Sequence, residues 1–275
     1  MVMRRARILL VDDNKVNRKL LAAVLEAEGY RVEEAGSGRE AVEGVRLLTY
    51  DLVLMDVQMP DMDGVEATAA IRSLGGRRAE VPIVAISGDI GDEVTERCRA
   101  AGMNDHLAKP VNPDTLHRVV ELWTRRGSDG RHASSAAAGA GAAPVETPLG
   151  GLADHLSGAA LLSVIDEFSE GAAARMTDVE RAVSAGDLAR ARGIAHDLSG
   201  SAANLGFMDL SRLAQSLEIA CTESGAGTAA RLVAAMPAVL RQVFVELATK
   251  RAQAVAALGT SQSGTARDDA RPGGP

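Results

Sequence analysis

Five side chains able to handle a divalent cation and a phosphoryl group each close a short apolar run in the first half of the sequence. Residues 8–11 lead into Asp12 and Asp13, 52–55 into Asp56, 82–86 into Ser87, and 105–108 into Lys109. If the runs are parallel strands, all five groups gather at carboxyl ends, where open α/β sheets bind ligands. Two like charges 4 Å apart repel by about 1 kcal/mol in water and about 4 kcal/mol at an effective dielectric of 20. A cation relieves that repulsion, and Mg²⁺ prefers hard oxygen ligands while keeping several waters. The metal would neutralise phosphoryl oxygens during in-line attack by one carboxylate. Lys109 would balance the new negative charge, and Ser87 would donate a hydrogen bond to a phosphoryl oxygen. The second half of the sequence offers a matching donor or acceptor, the imidazole of His196.

The elements that must position these groups are legible as periodic patterns. Residues 6–126 alternate strand-like and helix-like segments, which predicts a doubly wound α/β parallel sheet of five strands. Runs 8–11, 52–55 and 83–86 are apolar throughout, as expected of strands covered on both faces. Segment 31–35 (RVEEA) is more polar and reads as an edge strand. Val16, Leu20 and Val24 recur at helical spacing, and Gly29 is placed to end that helix. Gly102 closes a later helix in the same way. Asn112 as a cap and Pro113 at the first helical position open the helix carrying Leu116, Val119, Val120 and Trp123.

Residues 127–150 are rich in Ala, Gly and Ser, which predicts a flexible linker, and 259–275 read as a disordered tail. Between them, 151–258 hold no strand-like run. Their apolar stripes predict an all-α four-helix bundle. Pro237 either kinks the last helix or starts it.

Composition excludes several function classes. The net charge of −7 divides as −3 over residues 1–126 and −4 over the rest, so neither half is a basic nucleic-acid module. Aromatic content of 2% leaves little for base stacking. Cys98 and Cys221 fall in different predicted domains, which suggests a reducing compartment rather than a disulfide framework. The apolar stretch at the N-terminus is too short for a signal peptide, and no apolar run is read as reaching membrane-spanning length. The expectation is a cytoplasmic protein without membrane insertion.

The segments ILLVDDNKVNRKLL, DLVLMDVQMPDMDGVEA, PIVAISG and GMNDHLAKPV, in that order over 6–126, closely resemble receiver domains of two-component signalling. They are most similar to receivers attached to hybrid histidine kinases. The resemblance implies a flavodoxin-like fold with Asp56 as phospho-acceptor. It implies Mg²⁺ held by Asp13, Asp56 and the Gln58 carbonyl, with Asp12 acting through water. It further implies Ser87 and Lys109 as phosphoryl contacts, and control of phosphate lifetime by Gln58 and Asp89. His106 stands where receivers commonly place an aromatic switch residue.

In the helix expected around 188–205, Leu188, Ala191, Ala195, Leu198, Ala202 and Leu205 form the buried seam, which puts His196 just off it on an exposed flank. Gly200, four residues on, weakens a helix by ~1 kcal/mol relative to Ala, which makes sense if another protein approaches closely there. The segment AHDLSGSAANLGFMDLSRLAQSLE resembles the histidine phosphotransfer (HPt) family through His196, Leu198, Gly200, Gly206, Leu217 and Glu218. Ser199 stands in place of that family's usual lysine, and Arg192 is a candidate for the missing cation.

Together the halves predict a phosphorelay protein rather than an enzyme, because no kinase ATP-binding motif or glycine-rich phosphate loop occurs. The expected partners are an upstream histidine kinase and a downstream receiver or response regulator. The 24 residues of 127–150 span about 25–30 Å as a random coil, enough to let Asp56 meet His196 within one chain. Two other readings compete. In one, the second domain serves only for docking because of Ser199. The other is a Mg²⁺-dependent phosphatase of the haloacid-dehalogenase type. Those enzymes resemble Asp-x-Asp after the first strand, whereas this chain has adjacent aspartates.

Overall fold

The structure, a computed structural model, describes residues 5–88, 91–129, 156 and 158–264. Its first domain runs β1 (Arg7–Val11), α1 (Lys15–Ala27), β2 (Arg31–Ala35), α2 (Gly38–Leu47), β3 (Leu52–Asp56), α3 (Gly64–Arg72), a short α4 (Gly76–Ala79), β4 (Ile83–Ser87), α5 (Asp92–Ala101), β5 (Asp105–Ala108) and α6 (Pro113–Asp129). The strands form one parallel sheet in the order β2-β1-β3-β4-β5. This is the doubly wound arrangement, with its switch point between β1 and β3. Val11 lies opposite Met55, Asp56 opposite Ile86, and Ser87 opposite Ala108, so the carboxyl ends of β1, β3, β4 and β5 share one edge.

β3 and β4 each run one residue further than the apolar pattern suggested. Asp56 and Ser87 are the last residues of their strands, because Val57 N–H still donates to the Ile86 carbonyl at 3.0 Å and Lys109 N–H to the Ser87 carbonyl at 2.8 Å. A polar side chain at a strand end costs no ladder bond, so hydrophobicity alone stops the strand too early.

The helices start and stop where chemistry dictates. Asn14 caps α1 by accepting from Val16 N–H, and Asn112 caps α6 by accepting from Thr115 N–H at 3.1 Å. Gly29 (φ +93°) and Gly102 (φ +98°) supply the left-handed residues after α1 and α5.

Among the described residues the second domain holds four helices, α7 (Gly158–Ser184), α8 (Leu188–Asn204), α9 (Met208–Ile219) and α10 (Ala226–Gly264), with a π-helical turn at Ala220–Ser224 before α10. The expected seam of α8 is buried at Ala191, Ala195, Leu198 and Ala202. Phe168 of α7 stacks on Phe207, with centroids 5.7 Å apart. Pro237 lies inside α10 rather than at its start, flanked by the buried Val233, Met236 and Leu240.

Two boundaries differ from the composition-based expectation. α6 continues through residues 127–129, where the linker was expected to begin, and α10 runs to Gly264, six residues into the expected tail. Ala-rich sequence is both linker-like and the best helix former, so composition cannot place such edges. Residues 130–155, which include the expected start of the second domain, and 265–275 lie outside the described residues.

The stretch Ala226–Leu258 is long and apolar enough to cross a membrane by length and composition, contrary to the sequence reading. Alanine raises its mean hydropathy, while Ala229, Val233, Met236, Leu240, Val243 and Leu247 are buried in the bundle.

The two domains pack together. α1 lies against α7 and α8, and buried apolar side chains of both domains belong to one contiguous cluster. The remaining face of the sheet has its own core under α2, α3 and α5.

Candidate functional site

The carboxylates of Asp12, Asp13 and Asp56 present oxygens that all lie within 4.8 Å of one another. Asp12 and Asp56 are buried, and Asp13 is half-buried. Lys109 Nζ reaches between two of them, 2.6 Å from Asp56 Oδ2 and 3.1 Å from Asp12 Oδ2. Burial opposes the lysine's charge, but the Asp56 and Asp12 carboxylates outweigh it and raise the pKa. Burial also pushes Asp56 up, assisted by Asp12 and opposed by Lys109. Asp13 is pushed up to about 6, first by burial, then by repulsion from Asp197 and Asp12. The pattern has one cause: three carboxylates share a single ammonium, so negative charge is in excess. A hard cation with oxygen ligands fits this cleft.

Backbone groups fix the acids. Asn14 N–H donates to Asp12 Oδ1 at 2.8 Å, and Gln58 N–H donates to Asp56 Oδ1 at 3.2 Å. A Cβ on Gly64 would stand 2.2 Å from the Asp56 carbonyl oxygen, so α3 can start this close to β3 only with glycine there. Ser87 is buried at the end of β4. His106 is half-buried in β5, and its N–H donates to Asp105 Oδ1 at 2.9 Å. Asp89 lies outside the described residues.

The cleft faces the second domain and stays partly open to solvent at its rim, where Gln58 and Pro110 are exposed. α8 and α9 roof it, leaving a cavity of about 560 Å³ lined by Asp12, Asp13, Asp56 and Lys109 on one side and by His196 and Asp197 on the other. The flank of His196 expected to be exposed therefore faces the first domain, and its side chain keeps 34% exposure. His196 Nδ1 lies 3.2 Å from Glu218 Oε2 on α9. That hydrogen bond raises the imidazole pKa against the opposing effect of burial.

Arg192, the candidate cation, also lines the cavity, with Nε 3.7 Å from Glu218 Oε1. Ser199 turns toward α9, its Oγ donating to the Ser211 carbonyl at 3.2 Å. Gly200 faces Asn17 of the first domain, but a Cβ there would lie 3.9 Å from Asn17 Nδ2, an ordinary contact, so the close approach expected at this position is not what the packing of the two domains requires.

A polar seam at the domain boundary was missed by sequence reasoning. Asn14 Nδ2 donates to Ser201 Oγ at 2.7 Å and to the Asp197 carbonyl at 3.1 Å. Asn204 Nδ2 donates to Asn17 Oδ1 at 3.1 Å, while Asn204 Oδ1 accepts from Val111 N–H at 3.0 Å. Glu167 on α7 holds Lys15 at 2.9 Å and Lys19 at 2.7 Å. The available signal was the pair Asn14 and Asn17, polar residues one helical turn apart beside the apolar stripe of α1.

The comparisons with known proteins match this division. Residues 8–121 match the response regulator receiver domain, and residues 163–258 match the Hpt domain. The chain is a two-component signalling protein joining a receiver to an Hpt domain. Its receiver is 41% identical over 113 residues to the signal transduction histidine-protein kinase BarA of Shigella flexneri, covering 41% of this chain and 12% of that protein. It is 44% identical over 126 residues to hybrid signal transduction histidine kinase B of Dictyostelium discoideum, covering 42% of this chain and 6% of that protein. The chain thus spans only a small part of these curated relatives. Among solved structures, it is 38% identical to the receiver domain of the sensor histidine kinase PA1611 from Pseudomonas aeruginosa PAO1, whose structure has a magnesium ion coordinated in the active-site cleft. That match covers 44% of this chain and 99% of the other, with a TM-score of 0.42. Receiver and Hpt domains together give the chain a role in phosphorelay signalling.

Proposed function

We propose that this protein is a phosphorelay intermediate in which one phosphoryl group passes between Asp56 and His196 of the same chain. The observation that carries the reading is the shared cavity, with the Asp56–Lys109 pair on its receiver wall and His196 on its Hpt wall. A separate histidine kinase loads Asp56, and His196 exchanges the group with this receiver or with another one.

Asp56 is the acceptor because its carboxylate is buried at the strand end beside a fixed ammonium. Asp13, Asp56 and the Gln58 carbonyl would hold Mg²⁺, with Asp12 acting through water. When bound, the ion supplies charge neutralisation on the phosphoryl oxygens. Lys109 then pairs with the phosphorylated Asp56, and Ser87 donates to a phosphoryl oxygen. With the Nδ1 proton directed to Glu218, the lone pair of His196 sits on Nε2. In transfer, Nε2 forms a bond to phosphorus as the bond from phosphorus to the Asp56 oxygen breaks, and the carboxylate is returned to Lys109. His106, Gln58 and Asp89 modulate switching and phosphate lifetime; Arg192 acts on His196 through Glu218. The protein is assigned to the cytoplasm, without a nucleic-acid partner.

One observation favours a second reading. Ser199 stands where the family resemblance expects a cation, and its hydroxyl is engaged by the Ser211 carbonyl, as a docking-only Hpt domain would allow. One experiment separates the two. The full chain is phosphorylated with a small-molecule phosphodonor and Mg²⁺, and the label is tested for acid and alkali stability in wild type, Asp56→Ala and His196→Ala. Relay predicts both aspartyl phosphate and phosphohistidine in wild type, only aspartyl phosphate in His196→Ala, and no label in Asp56→Ala. Docking alone predicts no phosphohistidine in any of them.

A further inference from the structure

We propose that Asp197, supplied by the Hpt domain, is a fourth carboxylate of the receiver's cation cleft, so that Mg²⁺ binding and domain docking reinforce each other. The proposal rests on the Mg²⁺ reading of Asp12, Asp13 and Asp56, and adds to it a residue from the other domain.

The Asp197 side chain lines the same cavity as the three receiver aspartates. Its place there is fixed by the backbone. The Asp197 carbonyl accepts from Asn14 Nδ2 at 3.1 Å and from Ser201 Oγ at 2.8 Å. The same Asn14 donates its N–H to Asp12 Oδ1 at 2.8 Å. One asparagine therefore holds both the metal-cleft acid and the Hpt helix turn that carries Asp197.

Among the described residues, the Asp197 carboxylate makes no hydrogen bond and no ion pair, although the residue is half-buried. The charges that act on it are Arg175, His196 and Lys109, which favour its ionised form, and Asp12, which opposes it. Burial is the largest influence and raises its pKa, and its repulsion in turn helps hold Asp13 up. Docking thus adds a fourth negative charge to a cleft that already has too many. Without a cation that arrangement is unfavourable, and a divalent ion reverses its sign. A ligand that favours the docked state must be bound more tightly by that state, by the same factor. Asp197 would act from outside the inner coordination sphere, since it is not among the acids whose oxygens cluster within 4.8 Å.

The test is Mg²⁺ titration calorimetry on the full chain. Coulomb's law for a unit charge facing a divalent ion across several ångströms gives roughly tenfold in affinity even with water-like screening. Asp197→Asn is therefore expected to weaken Mg²⁺ binding by roughly 5–10-fold. Asp197→Glu, which keeps the charge, should stay within about twofold of wild type, as should Asp178→Asn, an equal charge change on the exposed side of α7. Weakening the docking with Asn204→Ala, which removes two hydrogen bonds across the seam, should weaken Mg²⁺ in the same direction as Asp197→Asn and by a smaller factor. Wild-type affinity in Asp197→Asn overturns the proposal, as does an equal loss in Asp178→Asn. In either of those outcomes the transfer between Asp56 and His196 is untouched, because the label-stability experiment decides it separately. If the wild-type chain binds no Mg²⁺, the reading of the cleft itself falls, and this proposal with it.

Discussion

Asn17 of the receiver joins two sites at once: its Oδ1 accepts from Asn204 of the Hpt domain at 3.1 Å, and its Nδ2 reaches Asp12 Oδ2 at 3.3 Å. Docking and the acid cleft therefore share one side-chain amide. Truncating Asn204 leaves Asn17 Oδ1 and Val111 N–H without their partner in a buried seam. Asn204→Ala should cost about 1–3 kcal/mol, measured as the loss of stability in urea unfolding of the full chain. Combined with Asn17→Ala, the two losses should be less than additive by about 1 kcal/mol. Fully additive losses would show that the bond carries no coupling.

Glu167 makes the other polar grip, on Lys15 and Lys19, from a carboxylate that keeps 17% exposure against lysines at 59% and 32%. Partial exposure sets its size. Pairs of this kind contribute about 0.2–1 kcal/mol each and are screened by salt. Raising ionic strength from low to about 0.5 M should therefore slow transfer from Asp56 to His196 in wild type severalfold. Glu167→Gln should start slow and lose its salt dependence. A rate in Glu167→Gln that still falls with salt as wild type does would assign the screening to other groups.

The parts of this molecule that sequence could and could not convey separate along physical lines. Strands β1, β3 and β4 were legible because burial on both faces forces unbroken apolar runs. The helix ends at Gly29 and Gly102 were legible because few residues tolerate their positive φ, and the helix start at Pro113 because a residue without N–H and with φ already helical suits the first turn. The acid cluster followed from topology, since a parallel sheet brings the ends of β1 and β3 side by side. The seam of Asn14, Asn17, Ser201 and Asn204 was hidden because a polar residue on a helix is normally solvated, and these four are buried where the two domains meet. His196 misled for the same reason. The periodicity of α8 describes its contact with the bundle and is silent about the receiver on its other side. Ser199 reads as a lost cation in sequence, and in the structure it ties α8 to α9.

Gly64 offers a test of how closely the acceptor must be held. A Cβ there would lie 2.2 Å from the Asp56 carbonyl oxygen and 3.0 Å from Met55 Cγ, so Gly64→Ala must push α3 away from β3. Overpacking of this kind costs about 1–3 kcal/mol. The displacement reaches Asp56 through its own backbone, so phosphorylation by a small-molecule donor should slow by more than the lost stability explains. Gly75→Ala is a useful contrast because Gly75 has open space around its missing Cβ, although its φ of +72° adds strain there. That change should lower stability and leave the phosphorylation rate of the folded protein intact. Equal rates in Gly64→Ala and wild type would show that the loop beyond β3 absorbs the shift without moving the carboxylate.

His196 and Glu218 set a pH dependence whose sign follows from the direction of the shift. The hydrogen bond to Glu218 raises the imidazole pKa, burial and Lys109 oppose it, and Asp56 adds to the rise. A raised folded-state value means that this pair's contribution to stability is fully present below the unfolded pKa of ~6.5 and is lost as pH rises through the folded value. The nucleophile runs the other way, because Nε2 attacks only when the ring is neutral. Transfer from Asp56 to His196 should therefore accelerate with pH across a midpoint above ~6.5. In Glu218→Gln the midpoint should fall toward ~6.5, and the rate at high pH should drop as well, because Nδ1 no longer donates to a carboxylate that steadies the emerging positive charge. Arg192→Ala should move the midpoint upward instead, since Arg192 Nε lies 3.7 Å from Glu218 Oε1 and its removal leaves that carboxylate to His196 alone. Titrating the imidazole by NMR in the three chains, beside the transfer rates, measures both effects. A midpoint that stays put in Glu218→Gln would mean that another group sets the protonation state of His196.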